Sequence, residues 1–197
     1  HHTVAGRIGG MAGWASSKRL KLKKHNRYFA RPGNKIFIAN AGAVRFEYPE
    51  KWIVEPGENG AICFYERTPP DHHAILQMSV WEFQGPQVDW TTLPLEPLFV
   101  QATTGPSPDP RTLLSSAPLK TVLRPGLEAV WREQLMFDHE DQKEVVCRQC
   151  LARGRNVTTL LTYDFYADEA ARLEPVWTDV LTSLVLGQHI SDPTTGF

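Results

Sequence analysis

Six kinds of side-chain grouping in this chain have the residue types that chemistry requires. Cys147-Arg148-Gln149-Cys150 is a C-x-x-C spacing, the signature of a dithiol or of half a zinc site. Asp71-His72-His73 places a carboxylate and two imidazoles in one Pro-flanked turn, and His139-Glu140-Asp141 offers a second polar turn. Gly6, Gly9, Gly10 and Gly13 form a loose glycine loop, and Asn156-Val157-Thr158 matches a glycosylation acceptor. The sixth grouping is a basic run beside aromatics: Lys18, Arg19, Lys21, Lys23, Lys24 and Arg27, followed by Tyr28 and Phe29. Clustered cations next to rings suit phosphates, bases or anionic head groups.

Each grouping depends on the element that carries it. Val145 to Arg153 reads as a strand, and residues three apart in a strand face opposite sides, about 10 Å apart along the axis. A disulfide needs Cα atoms within about 7 Å, so Cys147 and Cys150 are expected to be ordinary strand cysteines. Adjacent histidines need a third ligand from elsewhere to hold an ion, and no His-x-x-x-His or facing Glu stands near them. The glycines follow no strand and precede no Gly-Lys-Ser/Thr, which argues against phosphate cradling. Neither a Gly-x-Ser-x-Gly elbow nor an activated Ser or Cys is visible. No catalytic, metal or cofactor residue is therefore assigned.

Residues 1–42 are basic and poorly periodic, with one short apolar run at Ile36 to Ala39. They read as an arm with room for one edge strand. His1-His2 and the following glycines look like a tag remnant, with Met11 as the natural start, and a processed N-terminus is the alternative. From Val44 the pattern alternates through Phe46 and Tyr48, which predicts a half-buried strand ended by Pro49. Ala61 to Arg67 and Ile75 to Phe83 predict two more strands, Trp90 to Ala102 a short helix, and 105–118 a long Pro-rich loop. Leu127, Ala129, Trp131, Leu135 and Phe137 share one face of a long strand, followed by a hairpin at Gly154 whose second strand buries Val157, Thr159, Leu161, Tyr163 and Phe165. Leu173, Trp177, Val180, Leu181 and Leu184 make the apolar stripe of a closing helix, with Gly187 after it. Pro175 predicts either a start near Glu174 or a kink.

These elements compose one α+β domain: a single antiparallel sheet covered by the C-terminal amphipathic helix. The chain has 197 residues and is 42% hydrophobic with six Trp, nine Phe and five Tyr, which excludes a disordered chain. No apolar stretch is long enough for a membrane helix. Three cysteines are too few for a disulfide scaffold and fit a reducing, cytoplasmic location, with export as the alternative if a signal segment has been removed. The net charge of −1 hides a split: the first 46 residues carry ten basic and no acidic side chains. Such an arm meets either an anionic partner or the acidic body of its own chain.

The segment Val44-Arg45-Phe46-Glu47-Tyr48-Pro49-Glu50-Lys51-Trp52 resembles the opening strand, Tyr-Pro turn and Trp of the PsbP-like family, named for the extrinsic protein of the oxygen-evolving complex. The ending Trp177-Thr178-Asp179-Val180-Leu181-Thr182-Ser183-Leu184 is similar to that family's closing helix. The resemblance spans residues 43–187 in architecture. It implies an α/β/α sandwich with a central antiparallel sheet and no catalytic site. Family members are binding and assembly proteins: photosystem subunits, a Ran-binding nuclear import factor and bacterial chaperones for secreted effectors. No ligand residue carries over, because the matching positions are structural.

The expected organisation is thus an arm over 1–42, one PsbP-like domain over 43–187 and a tail over 188–197, from a bacterial source. The expected function is a non-enzymatic binding or assembly module for a protein partner, with no cofactor. Two alternatives stay open. One is a small metal-dependent hydrolase at His72 and His73. The other is binding of nucleic acid or an anionic membrane through Lys18, Arg19, Lys21, Lys23, Lys24 and Arg27.

Overall fold

A computed structural model describes residues 2–7, 14–82, 92–105 and 109–197. The strands are β1 (His2–Arg7), β2 (Trp14–Leu20), β3 (Asn34–Ala39), β4 (Val44–Pro49), β5 (Ile53–Pro56), β6 (Ile62–Tyr65), β7 (Ala74–Glu82), β8 (Thr112–Ser116), β9 (Lys120–Arg124), β10 (Leu127–Asp138), β11 (Lys143–Gly154), β12 (Val157–Tyr166) and β13 (Val185–Leu186). The helices are α1 (Leu95–Thr103) and α2 (Ala170–Ser183).

The alternation of β12 is complete: Val157, Thr159, Leu161, Tyr163 and Phe165 are buried and each residue between them is half-exposed. It lies in the middle of a large sheet ordered β5-β6-β7-β12-β11-β10-β8, with β9 also paired to β10. All its ladders are antiparallel, as short turns between consecutive strands require. Because the pleat alternates, α1 and α2 land on opposite faces. Val130 and Leu151 face α1, packing on Leu95 and Phe99, whereas their neighbours Ala129 and Cys150 face α2 and join Leu173, Trp177 and Val180. This is the α/β/α layering expected, with the C-terminal helix packed on the sheet.

A second sheet, ordered β13-β4-β3-β1-β2, corrects the expectation of one. The run Ile36 to Ala39 forms the last four residues of β3, antiparallel to β4 and parallel to β1. Its Phe37 and the Phe46 and Tyr48 of β4 converge on Phe64 of β6, with ring centroids 4.9, 5.4 and 5.2 Å away. Each such buried ring contributes about 1.5–3 kcal/mol of transfer free energy. The folded unit thus begins before residue 43, and His2–Arg7, within the segment read as a tag remnant, pairs with β2 and β3. Met11 and the glycines Gly9, Gly10 and Gly13 lie outside the described residues.

Three local expectations also change. The 105–118 loop contains β8, whose Thr112, Leu113, Ser115 and Ser116 pair with Phe137, Met136, Leu135 and Gln134 of β10. Alternation failed as a signal there because every residue of β8 is exposed. Helix α1 starts at Leu95, after Pro94, with Trp90 outside the described residues. Helix α2 starts at Ala170 and runs through Pro175. Pro175 removes the donor for the Ala171 carbonyl, and both residues are exposed, so water can satisfy it.

Among the described residues the Trp177 indole N–H is buried without a hydrogen-bond partner, but Glu47 and the C-terminal carbonyls of α2 are matched. Glu47 accepts from the Arg31 backbone N–H at 3.1 Å and from Asn34 Nδ2 at 3.3 Å, and its own N–H donates to Ser183 Oγ at 2.8 Å. Arg124 of β9 donates to the carbonyls of Leu181 and Leu184, two acceptors at the C-terminal end of α2 that the helix leaves open.

Candidate functional site

Among the described residues the large sheet is only part-covered on its α1 face, because α1 is nine residues long and sits over β10 and β11. Beside it, α1, Thr104, Gly105, Asp109 to Arg111, β8, β10 and β11 line a groove of about 970 Å³. Its floor holds Arg132, Gln134 and Met136 of β10 and Gln149 of β11; its rim holds Thr103, Arg111, Asp138 and Glu140. Arg132 Nε and Nη2 donate to Gln149 Oε1 at 3.2 and 3.1 Å, and its guanidinium lies 5.3 Å from the Phe99 ring centre. Arg111 bridges Asp109 at 2.7 Å and Asp164 at 2.9 Å. Asp138 accepts from the Glu140 and Asp141 backbone N–H groups, closing the β10–β11 turn.

The histidines do not converge. His73 Nδ1 pairs with Glu169, which also meets Arg172, and Arg172 reaches Glu66 at 2.9 Å. That hydrogen bond from Arg172 pulls the Glu169 carboxyl down to about 2. His72 instead lies edge-on to Tyr65 at 4.9 Å. His139 Nε2 meets Thr112 Oγ1 at 2.7 Å, at the far end of the groove. Among the described residues no three His, Cys, Asp or Glu side chains are grouped to hold an ion.

Cys147 and Cys150 stand on opposite faces of β11, as the strand geometry requires. Cys147 packs with Met136 and Val145, and Cys150 joins the main core. All three cysteines are free and buried. Burial pushes the Cys150 thiol up to about 12 and the Cys147 thiol higher still, which removes the thiolate that redox or metal chemistry needs.

The basic arm is divided between contact and exposure. Residues 188–197 fold back on it: the Lys23 and Arg27 backbone N–H groups donate to the Thr194 and Thr195 carbonyls at 3.1 and 2.8 Å. Lys23 Nζ pairs with Asp192 at 2.8 Å, and the Arg27 guanidinium lies 3.5 Å from the Phe197 ring centre. Ile190 is buried against Ile36 and Ile38. Arg19, Lys21 and Lys24 are exposed. Lys18 lies on β2, its side chain outside the description.

Sequence patterning missed the edge formed by β8 and β9. Both are antiparallel to β10, in a single line interrupted at Ala117-Pro118-Leu119, where the Ala117 N–H still reaches the Glu133 carbonyl at 2.9 Å. Leu113, Leu114, Leu119 and Leu123 are 52%, 47%, 36% and 80% exposed along it. Among the described residues no strand pairs with its outer side.

A central antiparallel sheet with helices on both faces, α2 lying near the C-terminal end, defines an α+β sandwich. Two solved structures agree at the level of fold. A protein from Bacteroides thetaiotaomicron matches with TM-score 0.51 and 11% identity over 79% of this chain, which spans only 49% of that longer protein. LpqN of Mycobacterium tuberculosis, described as involved in cell envelope biogenesis, matches with TM-score 0.50 and 11% identity, covering 79% of this chain and 86% of that one. Cyanobacterial PsbP from Synechocystis sp. PCC 6803 stands at TM-score 0.49 and 12% identity, over 80% and 95% of the two chains. Within that architecture the chain belongs to the Alr1449 family, whose pattern it matches over residues 35–190. It is 36% identical over 178 residues, 90% of either chain, to the uncharacterised protein alr1449 of Nostoc sp. strain PCC 7120.

Proposed function

We propose that the protein is a non-enzymatic binding or assembly module that takes an extended segment of a protein partner along the outer edge of β8 and β9. The observation that carries this reading is the exposure of Leu113, Leu114, Leu119 and Leu123 on an edge whose outer backbone groups have no strand beside them among the described residues. Edge strands of monomeric proteins are commonly blunted by charge or covered, because free N–H and C=O groups recruit other strands. Here Pro118 and the irregular register interrupt the edge without covering its leucines. Strand addition supplies main-chain hydrogen bonds, and alternate side chains supply selectivity. The exposed Arg19, Lys21 and Lys24 add attraction for an acidic partner surface.

Affinity capture from the source cells with the wild-type chain and with Leu114→Lys/Leu123→Lys tests the reading. The expected result is a partner recovered by the wild type and lost by the variant, with equal melting temperatures. A partner retained by the variant, or turnover of a substrate that depends on His72 or His73, overturns it.

A further inference from the structure

Strands β10 and β11 carry three arginines, each facing a cross-strand neighbour. Arg148 stands opposite Glu133 and pairs with it at 2.6 Å; Arg153 stands opposite Glu128 and pairs with it at 2.8 Å. Arg132 stands opposite Gln149. At the position where the other two arginines meet a carboxylate, this one meets a neutral amide. Gln149 holds the guanidinium through Nε and Nη2 and leaves its charge in place. Among the described residues Arg132 has no ion pair, and its Nη1 group has no hydrogen-bond partner.

We infer that the groove above Arg132 binds a small organic anion, with Arg132 as its charge partner and Gln149 as the residue that orients it. A volume of about 970 Å³ is within the range of small-molecule sites, about 300–1,000 Å³. The neighbouring cation, Arg111, is committed to Asp109 and Asp164 and does not compete for the ligand. The Gln134 amide and the Nε2 group of Gln149 suit a hydroxylated body. The opposite end, with Asp138 and Glu140, repels a second negative charge. The occupant is therefore polar and charged at one end, a carboxylate or a phosphate ester. With Nε and Nη2 held by Gln149 and Nη2 also reaching Thr103 Oγ1 at 3.4 Å, the Nη1 end of the guanidinium is the donor left for either oxyanion.

The test is a nuclear magnetic resonance titration of the whole chain with sodium gluconate, with inorganic phosphate as a second anion and sorbitol as the uncharged control. Saturable shifts at Thr103, Arg132 and Gln149 with an anion and none with sorbitol are expected. Phosphate acting like gluconate would assign recognition to the oxyanion alone, and gluconate acting by itself would assign it to a carboxylate with its hydroxylated body. Arg132→Gln should weaken binding at least about tenfold, the order expected for one charged contact. Gln149→Glu supplies the carboxylate that Glu133 and Glu128 give their arginines. It should abolish binding while the melting temperature stays equal or rises, so loss of fold cannot mimic the result. No shift at these residues with either anion, or unchanged affinity in Gln149→Glu, overturns the inference.

Discussion

The Tyr163 hydroxyl of β12 donates to the Leu173 carbonyl of α2 at 2.8 Å, and the ring above it lies parallel to Trp177, 7° between planes at 6.1 Å. Burial raises the phenol well above its ordinary range, so it remains a donor across any working pH. One side chain thereby fixes both the height and the rotation of the closing helix on the sheet. Tyr163→Phe keeps the stacking and removes this bond, while the Leu173 carbonyl keeps the intrahelical N–H of Trp177. The expected cost is about 0.5–1.5 kcal/mol in urea unfolding with an unchanged slope. A variant as stable as the wild type would place helix docking on packing alone.

Acid sensitivity should trace to Glu169. Its carboxyl lies at about 2 against an ordinary 4.5, chiefly through the Arg172 hydrogen bond. Glu66 is also lowered: burial pushes it up, but Arg67, the His73 N–H and Arg172 outweigh that. A carboxyl depressed in the folded state adds stability above its unfolded value, and that stability is lost as pH falls from about 4.5 towards 2. Glu169→Gln should lower stability by about 1 kcal/mol or less at neutral pH, since the pair is partly exposed. Melting temperatures of the two proteins should converge near the acid end, and curves that stay parallel to that end would assign the acid limb elsewhere.

The contact between arm and tail predicts a masked affinity. Asp192 neutralises Lys23, and Phe197 covers Arg27. Asp192→Asn combined with Phe197→Ala should elute from a heparin column at higher salt than the wild type, with a steeper salt dependence. Elution unchanged by the pair of substitutions would show that Lys23 and Arg27 contribute nothing to binding polyanions.

Much of the main sheet was legible in the chain itself. Strict alternation over Val157 to Phe165 fixes which side of β12 is buried, because a one-residue slip would turn every apolar side chain to water. The stripe through Leu173, Trp177, Val180 and Leu181 places α2 for the same reason, and the strand geometry of Cys147 and Cys150 separates them without any coordinates. Periodicity reports burial on one face. It is silent where a strand is exposed throughout, as in β8, and where a run as short as Ile36 to Ala39 joins a sheet built from distant residues.

The groove shows the limit most clearly. The Arg and Gln at 132 and 149 are unremarkable in sequence, seventeen positions apart among other polar residues. Their pairing acquires meaning only from the β10–β11 register, which sets Arg148 against Glu133, Arg153 against Glu128 and Arg132 against no acid. Local pattern and the hydrophobic effect determined which faces are buried, since those depend on neighbours along the chain. Which charges are neutralised was decided by tertiary structure alone, since an ion pair requires two side chains within a few ångströms and register is a property of the folded sheet.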